Sequence, residues 1–162
     1  MSLDSDIRLL SRVKLFEGFE PDHLRLLAFG AEARTLGNGT RLYRQGSYSE
    51  GGYVIVNGSI DLISGLNDNV ISTHGPASLI GEMALISETN HAATAVATEH
   101  SEILKIPRPL FRRMLEEYPH VAHLLRKRIA ISVNEFVERL TLLSAKLDHA
   151  SDLVNRPNRA LE

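Results

Sequence analysis

Leu79-Ile80-Gly81-Glu82-Met83-Ala84-Leu85-Ile86-Ser87-Glu88-Thr89-Asn90-His91-Ala92-Ala93-Thr94 is the stretch that decides the fold. Gly81 frees the backbone to turn and to approach a ligand closely, and Glu82-Met83-Ala84-Leu85 are good helix formers that open a short turn behind it. A turn-to-helix junction of this kind leaves backbone N–H groups without intrachain partners, aimed at whatever anion lies in front of them. A phosphate is the expected guest.

The same residues resemble the cyclic-nucleotide-binding domains, the sensor half of catabolite-activator-like regulators and the regulatory-subunit domains of kinases. The phosphate-binding cassette of that family runs Phe/Ile-Gly-Glu-x-Ala-Leu, a short spacer, then Arg-Ala-Ala-Thr. Ile80-Gly81-Glu82-Met83-Ala84-Leu85 matches the first half and Ala92-Ala93-Thr94 the second. The nine-position step from Glu82 to the family arginine is kept, but His91 stands there. The resemblance implies that Glu82 accepts a hydrogen bond from a ribose 2′-hydroxyl and that the amides of Gly81, Met83, Ala84, Ala92 and Ala93 hold a cyclic phosphate. Ile80, Gly81, Glu82, Met83, Ala84, His91, Ala92 and Ala93 are therefore the expected ligand-binding set, with no catalytic or metal-ligating residue. In the family a hydroxyl residue after the arginine favours cyclic GMP; Ala92 supplies none, so cyclic AMP is the expected ligand.

Imidazole offers at most two donors and is largely neutral at pH 7, unlike guanidinium. A hydrogen bond to a charged group is worth roughly 1.5–3 kcal/mol, so the exchange predicts affinity lower by about 10- to 150-fold. Three outcomes follow for His91. The phosphate raises the imidazole pKa and gives a weak, pH-dependent site; the site is retuned to another ligand; or ligand binding is lost, the roll persists as a dimerisation or interaction scaffold, and His91 is a solvent-exposed loop residue.

Outward from the cassette, residues 33–107 read as short alternating runs parted by glycine and polar turns, the pattern of a β-roll. Asn57-Gly58, between Tyr53-Val54-Ile55-Val56 and Ile60-Asp61-Leu62-Ile63, predicts a two-residue type I′ hairpin. Gly51-Gly52 predicts a close backbone approach, and Leu66-Asn67-Asp68-Asn69 a turn into a strand at Val70. Residues 1–32 read as two helices, the first from Asp4 with Asp4 or Ser5 as N-cap. The second starts at Glu20-Pro21 and buries Leu24, Leu26, Leu27 and Phe29. After Pro107 and Pro109 a short helix is expected, then a long one from Pro119 to about Ala150, and a polar tail over 151–162. The expected class is α+β: an antiparallel, jelly-roll-like β-roll flanked by N-terminal helices and a long C-terminal helix. In the family, the helices of residues 108–150 close over the ligand and transmit its presence.

In that long helix Leu125, Ile129, Val133, Phe136, Leu140, Leu143 and Leu147 step by fours and threes, near the 3.5-residue period of a coiled-coil seam, which predicts a homodimer. The tail is too short for a helix-turn-helix, and a net charge of −2 gives no general attraction to nucleic acid. The chain of 162 residues contains no cysteine, which excludes disulfides, thiolate metal sites and cysteine nucleophiles. No run approaches the ~18 apolar residues of a membrane span and the acidic amino terminus carries no signal segment, so a cytoplasmic protein is expected. His74 lacks a cupin-like His-x-His partner, Glu116, His120 and His123 straddle Pro119, and no Ser-His-Asp set or P-loop is present. A regulatory module, not an enzyme, is expected.

Overall fold

The structure is a computed structural model that describes residues 2–154; within its last helix the side chains of residues 129–137, 139 and 151–154 are not described. Two units divide the chain, residues 1–122 and residues 123–162.

The first unit opens with α1 (Leu3–Ser11), a single 3-10 turn (Lys14–Phe16) and α2 (Pro21–Gly30). Ser2, not Asp4 or Ser5, caps α1, its hydroxyl accepting from the Ser5 amide at 3.2 Å, so the cap lies two or three residues earlier than the acidic run suggested. Glu20 does stand at the N-cap of α2 with Pro21 inside, where the missing proline donor costs nothing. The buried face of α2 is His23, Leu24, Leu27 and Ala28. Phe29, expected inside, is 81% exposed and Leu26 is half-buried.

Ten antiparallel strands follow: β1 (Glu32–Leu36), β2 (Arg41–Tyr43), β3 (Tyr48–Ser49), β4 (Gly51–Asn57), β5 (Ile60–Ile63), β6 (Val70–His74), β7 (Leu79–Ile80), β8 (Thr89–Asn90), β9 (Thr94–Ala97) and β10 (Ser101–Pro107). They form two four-stranded sheets, β1-β10-β4-β7 and β2-β9-β5-β6, and a small β3-β8 pair. The core of the roll is Leu36, Tyr53, Ile55, Ile60, Ile80, Ala95, Ala97 and Ile103. The first six residues of β4 are all buried, so this strand reads as a continuous apolar run where a one-sided strand would alternate.

Asn57-Gly58 is a turn but not a hairpin. β4 pairs with β10 and β7, while β5 pairs with β6 and β9, so the turn carries the chain from one sheet to the other. Only Gly58 has positive φ, at 96°, whereas a type I′ turn needs it at both positions. A Cβ on Gly58 would lie 2.2 Å from the Ser101 hydroxyl oxygen, so close packing reinforces the demand for glycine. Gly51 makes the close approach its sequence suggested: a Cβ there would sit 2.1 Å from the Ile106 carbonyl oxygen.

Within the cassette, α3 (Met83–Ile86) is one turn long. After β10 come α4 (Arg108–Glu117) and α5 (Pro119–Val154). Phe111 and Met114 of α4 are fully buried, with the Phe111 ring 6.1 Å from that of Phe16. Gly30 admits α4 closely, since a Cβ there would meet the Leu110 side chain at 2.6 Å. The second unit holds the continuation of α5, where Leu140, Leu143 and Leu147 are exposed. Residues 151–154, expected in the tail, continue that helix; residues 155–162 lie outside the described residues, as do the side chains of Ile129, Val133 and Phe136.

Candidate functional site

Residues 79–94 run as strand, turn, helix and strand. Ile80 sits in β7, an edge strand, opposite Tyr53 of β4 and is buried, which pins the start of the segment to the sheet. Gly81 follows with φ of 71°, a backbone that a side chain would strain. The turn closes through Ala84 N–H to Gly81 carbonyl (3.1 Å) and Leu85 N–H to Glu82 carbonyl (3.0 Å). The Ala84 amide is thus engaged inside the turn. Among the described residues no backbone hydrogen bond outside the helices and strands starts from the amides of Glu82, Met83, Ala92 or Ala93.

Ala84 and Leu85 are buried and anchor the turn; a Cβ added to Gly52 would meet the Leu85 side chain at 3.1 Å. Glu82 and Met83 are exposed, and the Glu82 carboxylate makes no hydrogen bond or ion pair among the described residues. Ala92 is exposed and Ala93 buried. Thr94 is committed elsewhere: its hydroxyl accepts from the Gln45 amide at 2.9 Å.

His91 is not a solvent-exposed loop residue; it is 7% exposed. Its amide donates to the Ser47 carbonyl and its carbonyl accepts from the Gly46 amide, each at 2.8 Å, so the backbone is fixed from both sides. Its ring lies flat on Tyr43 of β2, centroids 3.5 Å apart and planes within 7°, with Tyr53 of β4 at 6.5 Å. Burial pushes the imidazole below its ordinary pKa, so the free protein holds it neutral. Burial, then the neighbouring Tyr53, pushes the Tyr43 phenol up to about 12. The imidazole makes no side-chain hydrogen bond among the described residues, leaving its donor uncommitted.

Tyr43 and Arg108 carry no sequence signal that marks them for the site. Tyr43 is remote from the cassette in the chain, and an aromatic residue in a short strand signals burial, not which ring it will face. Arg108 lies between Pro107 and Pro109, and its one clue is a cation directly after the apolar strand β10. It is 6% exposed, and its guanidinium donates to the Ala84 carbonyl, the Tyr48 hydroxyl and the Ser49 carbonyl. Among the described residues no group of three or more histidine, aspartate or glutamate side chains is placed to hold a metal.

The family described as Cyclic nucleotide-binding domain matches residues 33–118, which takes in the strands from the second residue of β1 onward, the cassette and α4. The Cyclic AMP receptor protein of Thermus thermophilus is 30% identical over 133 residues, 80% of this chain and 62% of that protein. Lysophospholipase NTE1 of Chaetomium globosum is 26% identical over 159 residues, and this chain spans only 10% of its length. Among solved structures, a cyclic nucleotide-binding-like protein from Brucella abortus is 46% identical, with a TM-score of 0.63, covering 70% of this chain and 99% of that one. The antiparallel roll, its helical turn behind Gly81 and the match over 33–118 lead to one assignment: this chain belongs to the cyclic nucleotide-binding domain family.

Proposed function

We propose that this chain is a cytoplasmic sensor module that takes cyclic AMP in residues 79–94 and passes the state of that segment to α4 and α5, without catalysis of its own. The observation that carries the reading is the pair of amide sets, Glu82-Met83 and Ala92-Ala93, in one segment whose ends are pinned by Ile80 and by the backbone bonds of His91. Glu82 presents an unpartnered carboxylate to accept a ribose hydroxyl. The name of the Thermus relative supports cyclic AMP as the nucleotide, and the missing hydroxyl at Ala92 points the same way.

His91 makes this a weak site that strengthens in acid. The imidazole starts neutral with a depressed pKa; an anion beside it raises that pKa, so ligand binding takes up a proton. Affinity therefore rises as pH falls from about 8 to about 6, through the ordinary imidazole range near 6.5. Titration calorimetry with cyclic AMP tests this directly. Wild-type protein binds, more tightly at the lower pH, and His91→Arg binds roughly 10- to 150-fold more tightly with the pH dependence removed. Absence of both heat and thermal stabilisation at millimolar cyclic AMP, in the wild type and in His91→Arg, would leave the roll as a ligand-free scaffold.

A further inference from the structure

One short stretch of chain, residues 43–47, grips the end of the cassette. The Gly46 amide donates to the His91 carbonyl and the His91 amide to the Ser47 carbonyl, each at 2.8 Å. The Gln45 amide donates to the Thr94 hydroxyl at 2.9 Å. These bonds fix the chain over residues 91–94 but do not decide how the imidazole turns. Its plane is set by Tyr43, the last residue of β2, whose ring covers one face at 3.5 Å and within 7° of parallel.

The platform is itself braced. Tyr43 stands opposite Ala95 of β9, a side chain too small to displace its ring, and its centroid lies 5.6 Å from that of Tyr53, a member of the roll's core. The outer torsion of a histidine side chain has broad minima, so the ring keeps one orientation only where something packs against it. A face-on stack removes that freedom without using the hydrogen-bonding capacity of the imidazole, since both nitrogens point outward in the ring plane. Among the described residues the ring partners of His91 are two phenols, Tyr43 on β2 and Tyr53 on β4. Neither is a fixed charge, so an anion in the cassette is what favours a positive imidazole, and that cation lies on the electron-rich face of Tyr43.

We propose that Tyr43 is a positioning residue for His91: it holds the imidazole edge-on to an anion bound in residues 81–93 and stabilises the cation formed there. This proposal rests on the cyclic-nucleotide reading of the site. Affinity gains because the orientation of the ring is settled before the ligand arrives. The stack therefore persists in the complex and is not a resting place that the ligand must empty.

Titration calorimetry of the full chain with cyclic AMP, at about pH 6 and about pH 8, tests it on Tyr43→Phe and Tyr43→Leu, each with and without His91→Gln. Tyr43→Phe keeps an aromatic face, binds within about twofold of the wild type and retains the tighter binding at the lower pH. Tyr43→Leu keeps apolar bulk without the face; it binds roughly 2- to 12-fold more weakly at the lower pH and has a flatter pH profile. In the His91→Gln background Tyr43→Leu changes affinity by less than about twofold, since no imidazole is left to orient. A Tyr43→Leu protein that binds and titrates like the wild type, or that loses as much affinity in the His91→Gln background, overturns the proposal. Where Tyr43→Leu does not fold, proton NMR of the wild type decides: the carbon-bound protons of the His91 ring stay shifted upfield by Tyr43 at saturating cyclic AMP, and loss of that shift overturns it. A wild type that takes up no cyclic AMP at either pH refutes the nucleotide reading and the positioning role together. An indifferent Tyr43→Leu in a protein that does bind refutes the positioning role alone.

Discussion

At His91 the chain trades a permanent cation for a group whose charge depends on where it is put. In the free protein it is put on Tyr43 in a flat stack beside Tyr53, where burial favours the neutral ring. Because the folded pKa lies below the ordinary value, the unfolded chain binds the proton first as pH falls. The stability contributed by neutral His91 is complete above about pH 6.5 and is lost as acid carries the solution toward the folded pKa. Urea midpoints of wild type and His91→Gln, compared at about pH 7.5 and pH 5, should show the wild type losing its relative advantage at the lower pH. At Gly51, where no Cβ fits before the Ile106 carbonyl, Gly51→Ala is expected to cost at least about 1–3 kcal/mol, read as a lower midpoint with unchanged slope. Gly51 was legible in the sequence because two adjacent glycines give up side-chain packing at the head of an apolar run, which suits a backbone pressed against another. The surroundings of His91 were not, because the stack is made with a strand remote in the chain.

Among the elements, the local signals told where the chain turns and failed to tell what it turns toward. Asn57-Gly58 stops β4 and starts β5 as expected, yet the two strands join different sheets. Turn chemistry is a property of two residues, whereas partner choice is set by which apolar faces can share a core, here Ile55 and Ile60 meeting across the roll. The same gap misplaces Phe29: the apolar stripe on α2 is wide in the sequence, and the face that packs is the narrower one of His23, Leu24, Leu27 and Ala28. Phe29→Ser should therefore stay within about 0.5 kcal/mol of wild type by thermal denaturation. Phe111 is the opposite case, fully buried against Phe16, where α4 meets the helices before the roll. Phe111→Ala should cost about 3–5 kcal/mol in a denaturant titration. The cassette itself was the most legible element, since glycine, acid and small residues each do a backbone job that few other types can do.

For the molecule as a whole, the reading of α5 as a dimerisation helix remains our proposal. Leu140, Leu143 and Leu147 are exposed at steps of three and four, as a seam requires, and Leu143 is 55% accessible in the single chain. Light scattering should report twice the chain mass for the wild type and the single-chain mass for Leu140→Glu combined with Leu147→Glu; a monomeric wild type removes the proposal. Among the described residues no helix is long and apolar enough to cross a membrane. The overall class was legible because strand-period and helix-period stretches occupy separate blocks of the chain, 33–107 and the rest. The burial of Arg108 was not, because its one clue, a cation directly after an apolar strand, does not say which carbonyls it will meet. The Arg108 guanidinium is held by the carbonyls of Ala84 and Ser49 and the hydroxyl of Tyr48, a set of partners that does not include the His91 stack on Tyr43. On the reading proposed above, acidification slides the dose–response curve along the concentration axis through His91.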